Sequence, residues 1–292
     1  MKDLSHLSIV VPIGDMAGRL SNLYTWIQEI APYKPKIILV TSTLFKETLA
    51  EVLLNKTTGE LPNCCQVVSG EFSNPGDSRN AGFEEVETNW VTFWDSDDLP
   101  NVANVIKIMT SGIIEENDFI IADFEVQNAI TKQIQPKLTT TGHIDNMIGL
   151  ALSPGLWRWF IRTNQIKTNP FPALRMGEDQ VFLVSTQFWE KRFKFVEPIS
   201  YTYVTNQQNQ LTSSRDAISD LRYSMTKIIE VIRESQETFP EIVGCRMIVT
   251  MIKKGTIDTK IHSFVSLARM IRHIGVTGVT RTMVLIYRMR LR

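Results

Sequence analysis

The chain alternates short, wholly apolar runs with amphipathic stretches of helical period, and few folds accept that pattern. Residues 8–13 form an apolar run punctuated by Pro12 and Gly14; Leu20, Leu23, Tyr24, Ile27 and Ile30 follow at helical spacing, and Pro32 closes that helix. Residues 36–41 read as a second strand, Phe45, Leu49, Val52 and Leu53 as a second helix, and residues 66–69 as a third strand. Strands that are apolar on both faces belong in the middle of a sheet covered by helices. The prediction is an α/β fold with a mostly parallel sheet that binds its ligand at the carboxyl ends of the strands.

The fourth strand adds chemistry to the pattern. Trp90-Val91-Thr92-Phe93-Trp94 runs straight into Asp95-Ser96-Asp97-Asp98. Carboxylates this close repel one another unless a cation, a basic ligand or a proton intervenes. Oxygen ligands at the mouth of a sheet suit a hard cation such as Mg2+ or Mn2+, which would in turn hold a phosphate. The plain alternative is a strand-ending turn with solvated Asp side chains.

Ahead of that strand stands Asn74-Pro75-Gly76-Asp77-Ser78-Arg79-Asn80-Ala81-Gly82-Phe83. Pro and Gly mark a turn, and Asp77 or Ser78 is expected to cap the helix that follows. Arg79 falls in the first helical turn, where a cation opposes the helix dipole unless an anion lies nearby. Asn80, Ala81 and Gly82 are small enough to let another group approach closely. Pro100 then opens a helix carrying Val102, Val105, Ile106 and Met109.

Taken together, the strand at 8–12, the Pro75-Gly76-x-x-Arg79-Asn80-x-Gly82 stretch and the Asp95-Ser96-Asp97-Asp98 cluster resemble the nucleotide-sugar domain of inverting GT-A glycosyltransferases, family 2. The likeness spans roughly residues 7–205 in matching order and spacing. It implies a Rossmann-like GT-A domain at 1–214 followed by a helical extension at 215–292. It also implies transfer of a sugar from a nucleotide-diphospho-sugar to a hydroxyl of a polysaccharide or lipid-linked glycan, assisted by Mg2+ or Mn2+. On that resemblance Asp97 is the metal ligand, Asp95 a metal or ribose contact, and Arg79 a contact to the nucleotide or its phosphates. Pro12, Asp15, Asn80, Ser96 and Asp98 complete the expected donor site. Two stretches depart from the family pattern: Thr41-Ser42-Thr43-Leu44 replaces an acidic turn after the second strand, and Gly14-Asp15 replaces an aromatic-Asn pair. Asp15 either takes over nucleotide contacts or caps the first helix.

Farther along, Arg175-Met176-Gly177-Glu178-Asp179-Gln180 precedes a helix with Val181, Phe182 and Val184. Acidic side chains are ordinary at a helix start. The resemblance implies more: Asp179 as general base for the acceptor hydroxyl, and Glu178 as a positioning or acceptor-binding residue. Residues 118–124 and 132–138 suggest a hairpin turning at Asn128-Ala129. Trp157, Trp159 and Phe160 read either as core or as a platform for sugar rings. None of the four histidines falls where relatives place one near the phosphates, so any metal rests on carboxylates, phosphates and water.

From Ser214 onward the pattern is helical. Ile218, Leu221, Met225, Ile228, Ile229 and Ile232 share one face, Phe239-Pro240 is read as the stop, and further helices are expected at 241–254, 258–274 and 277–290. Charge is divided sharply: residues 1–245 carry 21 Lys/Arg and 30 Asp/Glu, whereas 246–292 carry 10 Lys/Arg and only Asp258. A basic amphipathic tail suits an anionic membrane surface, the acidic body of the protein, or a second protomer. No apolar run approaches the ~18 residues that span a bilayer, and the start shows no signal-peptide pattern. Cys64, Cys65 and Cys245 lack metal-ligand spacing and read as reduced thiols, so a cytoplasmic protein, peripheral at the membrane's inner face, is expected. Nucleic-acid binding is disfavoured, because the tail carries no reader motif. An aspartyl-nucleophile phosphatase would place its Asp pair after the first strand rather than the fourth. A non-catalytic sugar-binding or scaffold relative is the remaining alternative, and the sequence leaves the oligomeric state open.

Overall fold

The computed structural model describes residues 2–14, 20–43, 61–137, 146–206, 215–235 and 237–290. The helix expected around Phe45–Leu53, together with Asp15 and His143, lies outside them. The chain divides into two compact units: Met1–Thr141 with Leu156–Phe171 and Phe188–Gln207, and Gly142–Gly155 with Pro172–Gln187 and Gln208–Arg292.

The first unit is built on a sheet of β1 (Leu7–Ile13), β2 (Lys36–Ser42), β3 (Cys65–Gly70), β4 (Trp90–Phe93), β5 (Leu99–Pro100), β6 (Phe119–Asn128), β7 (Ile134–Lys137), β8 (Trp159–Arg162) and β9 (Phe193–Thr205). Among the described residues its order is β3-β2-β1-β4-β8-β6-β9-β5, with β7 paired to β6. β1 is parallel to both β2 and β4, β2 is parallel to β3, and β6 is parallel to β9; β8 runs antiparallel between β4 and β6. The carboxyl ends of β1, β2 and β4 therefore share one rim. The apolar runs are central for the expected reason: Ile9, Val10, Val11, Ile37, Ile38, Leu39 and Val40 are all fully buried. Each such side chain contributes about 1.5–3 kcal/mol relative to exposure.

Helix α1 (Leu20–Ile30) ends in a short 3-10 turn that contains Pro32. Helix α2 (Pro75–Glu84) crosses β1 and β2 so closely that a Cβ on Gly82 would lie 2.5 Å from a Val10 methyl and 2.7 Å from one of Val40. The small residue at 82 thus admits the sheet itself. Helix α3 (Val102–Met109) is capped by Asn101, whose side chain accepts the Asn104 N–H at 3.1 Å, after Pro100 has finished a two-residue strand. A four-residue helix α4 (Ile113–Glu116) precedes β6. A hairpin forms, with Phe124 opposite Lys137 and Gln127 opposite Ile134. Asn128, however, stays in β6 and donates its N–H to Gln133 O, so the turn falls at 129–132 rather than at Asn128-Ala129 and ends with Lys132 at φ 59°.

The pairing of β6 with β9 slips at Ala122–Asp123. Beside that bulge the fully buried Arg158 donates through Nε to Ala122 O at 2.6 Å and lies 3.7 Å from Asp123. Burial pulls the Arg158 pKa down to about 9, with Asp123 opposing the change.

The second unit is helical: α5 (Asn146–Leu152), α6 (Glu178–Ser185), α7 (Arg215–Glu234), α8 (Thr238–Lys254) and α9 (Ile257–Arg290). The predicted apolar face of α7, from Ile218 to Ile232, is buried as expected. Phe239-Pro240 does not stop a helix but sits in the first turn of α8, where a proline's missing N–H costs nothing. α9 is broken at Gly275 (φ 74°, ψ 165°), so the two expected helices at its ends are joined by one non-helical residue. No helix among the described residues is long and apolar enough to cross a membrane.

Candidate active site

The acidic turn is fixed first by the strand that delivers it. Trp94 N–H donates to Val10 O at 3.0 Å, which prolongs the β4–β1 pairing by one residue. Its indole is buried and meets Trp26 edge-on, with ring centroids 5.1 Å apart. With Trp94 locked into the core, the chain leaves the sheet at the rim, and Asp98 N–H closes the turn on Asp95 O at 3.4 Å.

Strand β9 braces this turn from behind. The Tyr201 hydroxyl accepts the Asp95 N–H at 3.0 Å and lies 3.4 Å from Asp95 O, while Val204 N–H donates to Asp98 Oδ1 at 2.8 Å. Asp98 is 1 % exposed, and its Oδ2 has no hydrogen-bond partner among the described residues. Burial, reinforced by Asp95 and Asp97, pushes its carboxyl well above the usual carboxylate range. Burial foremost, then Asp98 and Asp95, also raises Tyr201, so its hydroxyl keeps its proton. Ser96 is buried, whereas Asp95 and Asp97 are partly exposed.

Helix α2 supplies the cation. Its cap is Asn74, whose Oδ1 accepts the Asp77 N–H at 2.9 Å; Pro75 takes the first helical position, which leaves Asp77 and Ser78 inside the helix rather than capping it. Arg79 Nη2 reaches Asp95 Oδ1 at 2.9 Å, and this anion offsets the unfavourable dipole at the helix start. The Arg79 side chain is 8 % exposed but Asp95 is 33 % exposed, so solvent screens the pair to about 1 kcal/mol. The guanidinium also lies 5.8 Å from the Phe171 ring centroid. Asn80 holds Phe171 by two backbone bonds: its amide donates to Phe171 O and its carbonyl accepts Phe171 N–H, both at 2.8 Å.

Asp95 and Asp97, the two partly exposed carboxyls of the turn, stand at the rim beside the Arg79 guanidinium. Two oxygen-bearing side chains there fit a hard divalent cation, with the remaining positions left to phosphate and water. Among the described residues no cluster of three or more His, Cys, Asp or Glu side chains forms a complete metal cage.

In the second unit, Glu178 and Asp179 begin α6. Gly177 precedes them at φ +85°, and a Cβ there would lie 2.6 Å from Ser224 Oγ, so the helix start demands glycine. Glu178 is buried and Asp179 partly exposed, with Asp179 Oδ1 accepting the Gln180 N–H at 2.8 Å. Arg246 donates to Gln180 Oε1 at 2.7 Å and to Leu152 O at 2.6 Å; Arg175 grips Asp220 through its backbone N–H and its guanidinium. Glu178 and Asp179 are therefore presented by a helix pinned at both flanks.

No protein family and no curated protein matches the sequence. Solved structures do. Residues 1–349 of TarS from S. aureus superpose with a TM-score of 0.63 at 16 % identity, over 93 % of this chain and 82 % of that one. The same TarS fragment in complex with UDP-GlcNAc gives 0.63 at 15 % identity, over 91 % and 81 % of the two chains. The fold is GT-A. A mannosyltransferase, PcManGT from Pyrobaculum calidifontis in complex with GDP-Man and Mn2+, shares it with a TM-score of 0.52 at 12 % identity, over 96 % of this chain and 85 % of that one. Against the structure of TarS not limited to residues 1–349, this chain spans half the length.

Within the GT-A sheet, Arg79 and the turn from Asp95 to Asp98 lie at one rim, with Asp95 and Asp97 partly exposed and Ser96 and Asp98 buried. Pro12 lies in β1 opposite Val40, past the end of the β4 pairing at Val10, where its missing N–H is tolerated. Asn80 is occupied by the Phe171 backbone. Trp159 and Phe160 are fully buried, and Trp157 stacks against both Tyr201 and Tyr203 at centroid distances of 4.7 and 5.6 Å. These aromatics are core, not a sugar platform, because alternate faces of β8 and the turn before it are covered by protein. Tyr201 and Phe171 escaped the sequence reading. Their partners are 106 and 91 residues away, and no local pattern marks them.

Proposed function

We propose that this chain is an inverting glycosyltransferase that moves a sugar from a nucleotide-diphospho-sugar to a hydroxyl of a glycan or lipid-linked acceptor. The observation that carries the reading is the Arg79–Asp95 pair beside Asp97 at the carboxyl rim of a GT-A sheet, a mixed-charge site suited to a diphosphate and its cation. Asp97 and Asp95 would hold Mg2+ or Mn2+, which would neutralise charge building on the departing diphosphate. Arg79, already fixed by Asp95 and Phe171, adds a donor for the phosphate oxygens at no cost of reordering. Asp98 acts as a strut, tying the turn to β9 through Val204 rather than touching solvent.

Asp179 is the general base. It takes the proton of the acceptor hydroxyl as that oxygen bonds to the anomeric carbon. The bond from that carbon to the diphosphate oxygen breaks in the same displacement, and the nucleoside diphosphate leaves. One displacement inverts the carbon and needs no covalent enzyme intermediate. Glu178, buried at the helix start, positions the base. Donor complexes of TarS and PcManGT support the class of donor.

Asp179→Asn keeps shape and removes basicity, so transfer should fall by about 10²–10⁴-fold while donor affinity stays within about twofold. Measuring sugar transfer and nucleotide binding on the same preparation separates the two. Transfer at the parent rate would remove Asp179 from the role.

A further inference from the structure

The first half of α9 is built inside out. Its residues packed against α7 and α8 are Thr259, Ser263, Ser266 and Met270, each at most 1 % exposed. Its solvent-facing residues are Ile257 (77 % exposed), Ile261 (59 %), Phe264 (61 %) and Val265 (44 %). Their spacing of four, seven and eight residues makes one continuous apolar stripe. A helix that merely covers a core shows the reverse arrangement. Two of the inward hydroxyls are satisfied locally, Thr259 by Thr256 at 3.0 Å and Ser263 by donating to Lys260 O, whereas the buried Ser266 Oγ has no hydrogen-bond partner among the described residues.

Charge identifies what the stripe meets. At helical spacing Lys260 borders it on one side and Arg269 on the other, with Arg272 on its continuation; all three are exposed. Lys253 and Lys254 are exposed at the end of α8, and residues 246–292 contain a single acid, Asp258. A second copy seated on this face would set one basic fringe against another within a Debye length. A bilayer with anionic headgroups offers the opposite: negative charge at the height of the lysines and arginines, and acyl chains beneath for Phe264 and Ile261. After the break at Gly275 the outward pattern continues with Val276 and Tyr287.

We propose that the outward face of α9, centred on Ile261 and Phe264, lies in the plane of an anionic membrane and holds the protein there. This inference stands independently of the glycosyl-transfer reading, and its test needs neither donor nor acceptor.

The full chain is sedimented with vesicles of phosphatidylcholine alone and of phosphatidylcholine mixed with phosphatidylglycerol. Binding to the mixed vesicles only, weakening with salt, is expected. Joint Ile261→Glu and Phe264→Glu substitution should lower partitioning at least about tenfold, and Lys260→Gln or Arg269→Gln about fivefold each. All four positions are exposed, so thermal melting should not change. In a separate chain, Phe264→Trp should add quenching by bromine-labelled acyl chains beyond that of the parent. Absence of binding, equal binding to neutral vesicles, or no added quenching would overturn the proposal. So would a dimer in solution that the glutamate substitutions convert to monomer without any vesicle binding, since a second copy would then cover the face.

Discussion

Two sets of adjacent acids in this molecule are held by different means. The turn from Asp95 to Asp98 is cross-braced by remote groups: Arg79 on a carboxylate, the Tyr201 hydroxyl on a backbone N–H, and Val204 N–H on the buried Asp98. Glu178 and Asp179 begin a helix whose entry is set by a left-handed glycine, with Arg246 on Gln180 and the Arg175–Asp220 pair holding its flanks. Crowded carboxylates at a sheet rim repel, so they need partners brought from elsewhere in the chain. A helix start supplies its own favourable field and needs mainly the correct entry angle. The first arrangement should therefore be sensitive to the loss of its remote partners, and the entry to the second to a change of backbone at Gly177.

The contrast can be broken most sharply at Gly177. Alanine there must adopt a positive φ and push against Ser224, for a loss of about 3 kcal/mol in denaturant-induced unfolding. A cost below about 0.5 kcal/mol would mean that the helix start does not depend on its glycine.

Tyr201→Phe tests the other arrangement. It leaves the Asp95 N–H without its acceptor inside the protein, at a cost of about 1–2 kcal/mol. If the variant is as stable as the parent, the brace is ornamental and the acidic turn holds itself.

The smallest effect should come from Asp118→Asn, a control away from both sets of acids. Arg192 bonds to the Asp118 carboxylate at 3.0 Å through two nitrogens and holds it below its ordinary pKa, with burial opposing. Because the folded value is depressed, the stabilisation is present above the unfolded pKa of about 4 and disappears as pH falls through the folded value. Parent and variant melting curves should separate slightly at neutral pH and converge in acid. Arg192 is largely exposed, which keeps the separation small.

The parallel strands were legible because residues buried on both faces leave continuous apolar runs, as at Ile37–Val40 and Trp90–Trp94. The acidic turn and Arg79 were legible because charge at the end of such a run is conspicuous. Their supports were not. Tyr201 sits in an unremarkable alternating strand, and Asn80 looks like a polar surface residue until Phe171 is seen across it. The cap of α2 was misplaced by a few residues because Asn74, Asp77 and Ser78 all have capping side chains, and only Pro75 at the first helical position decides among them. In α9 amphipathicity was plain from the sequence. Which face turned inward was not, since packing selected the small hydroxyl residues over the larger apolar ones.

The central claim is that Asp97 and its neighbours make a place for a divalent cation and a nucleoside diphosphate. Calorimetric titration of UDP and of GDP into the full chain, with and without Mn2+, tests it directly when repeated on Asp97→Ala. Saturable binding of at least one nucleotide that requires Mn2+ and weakens at least about tenfold in the variant is predicted. Affinity for each nucleotide that is the same with or without the metal, and the same in both proteins, would contradict it.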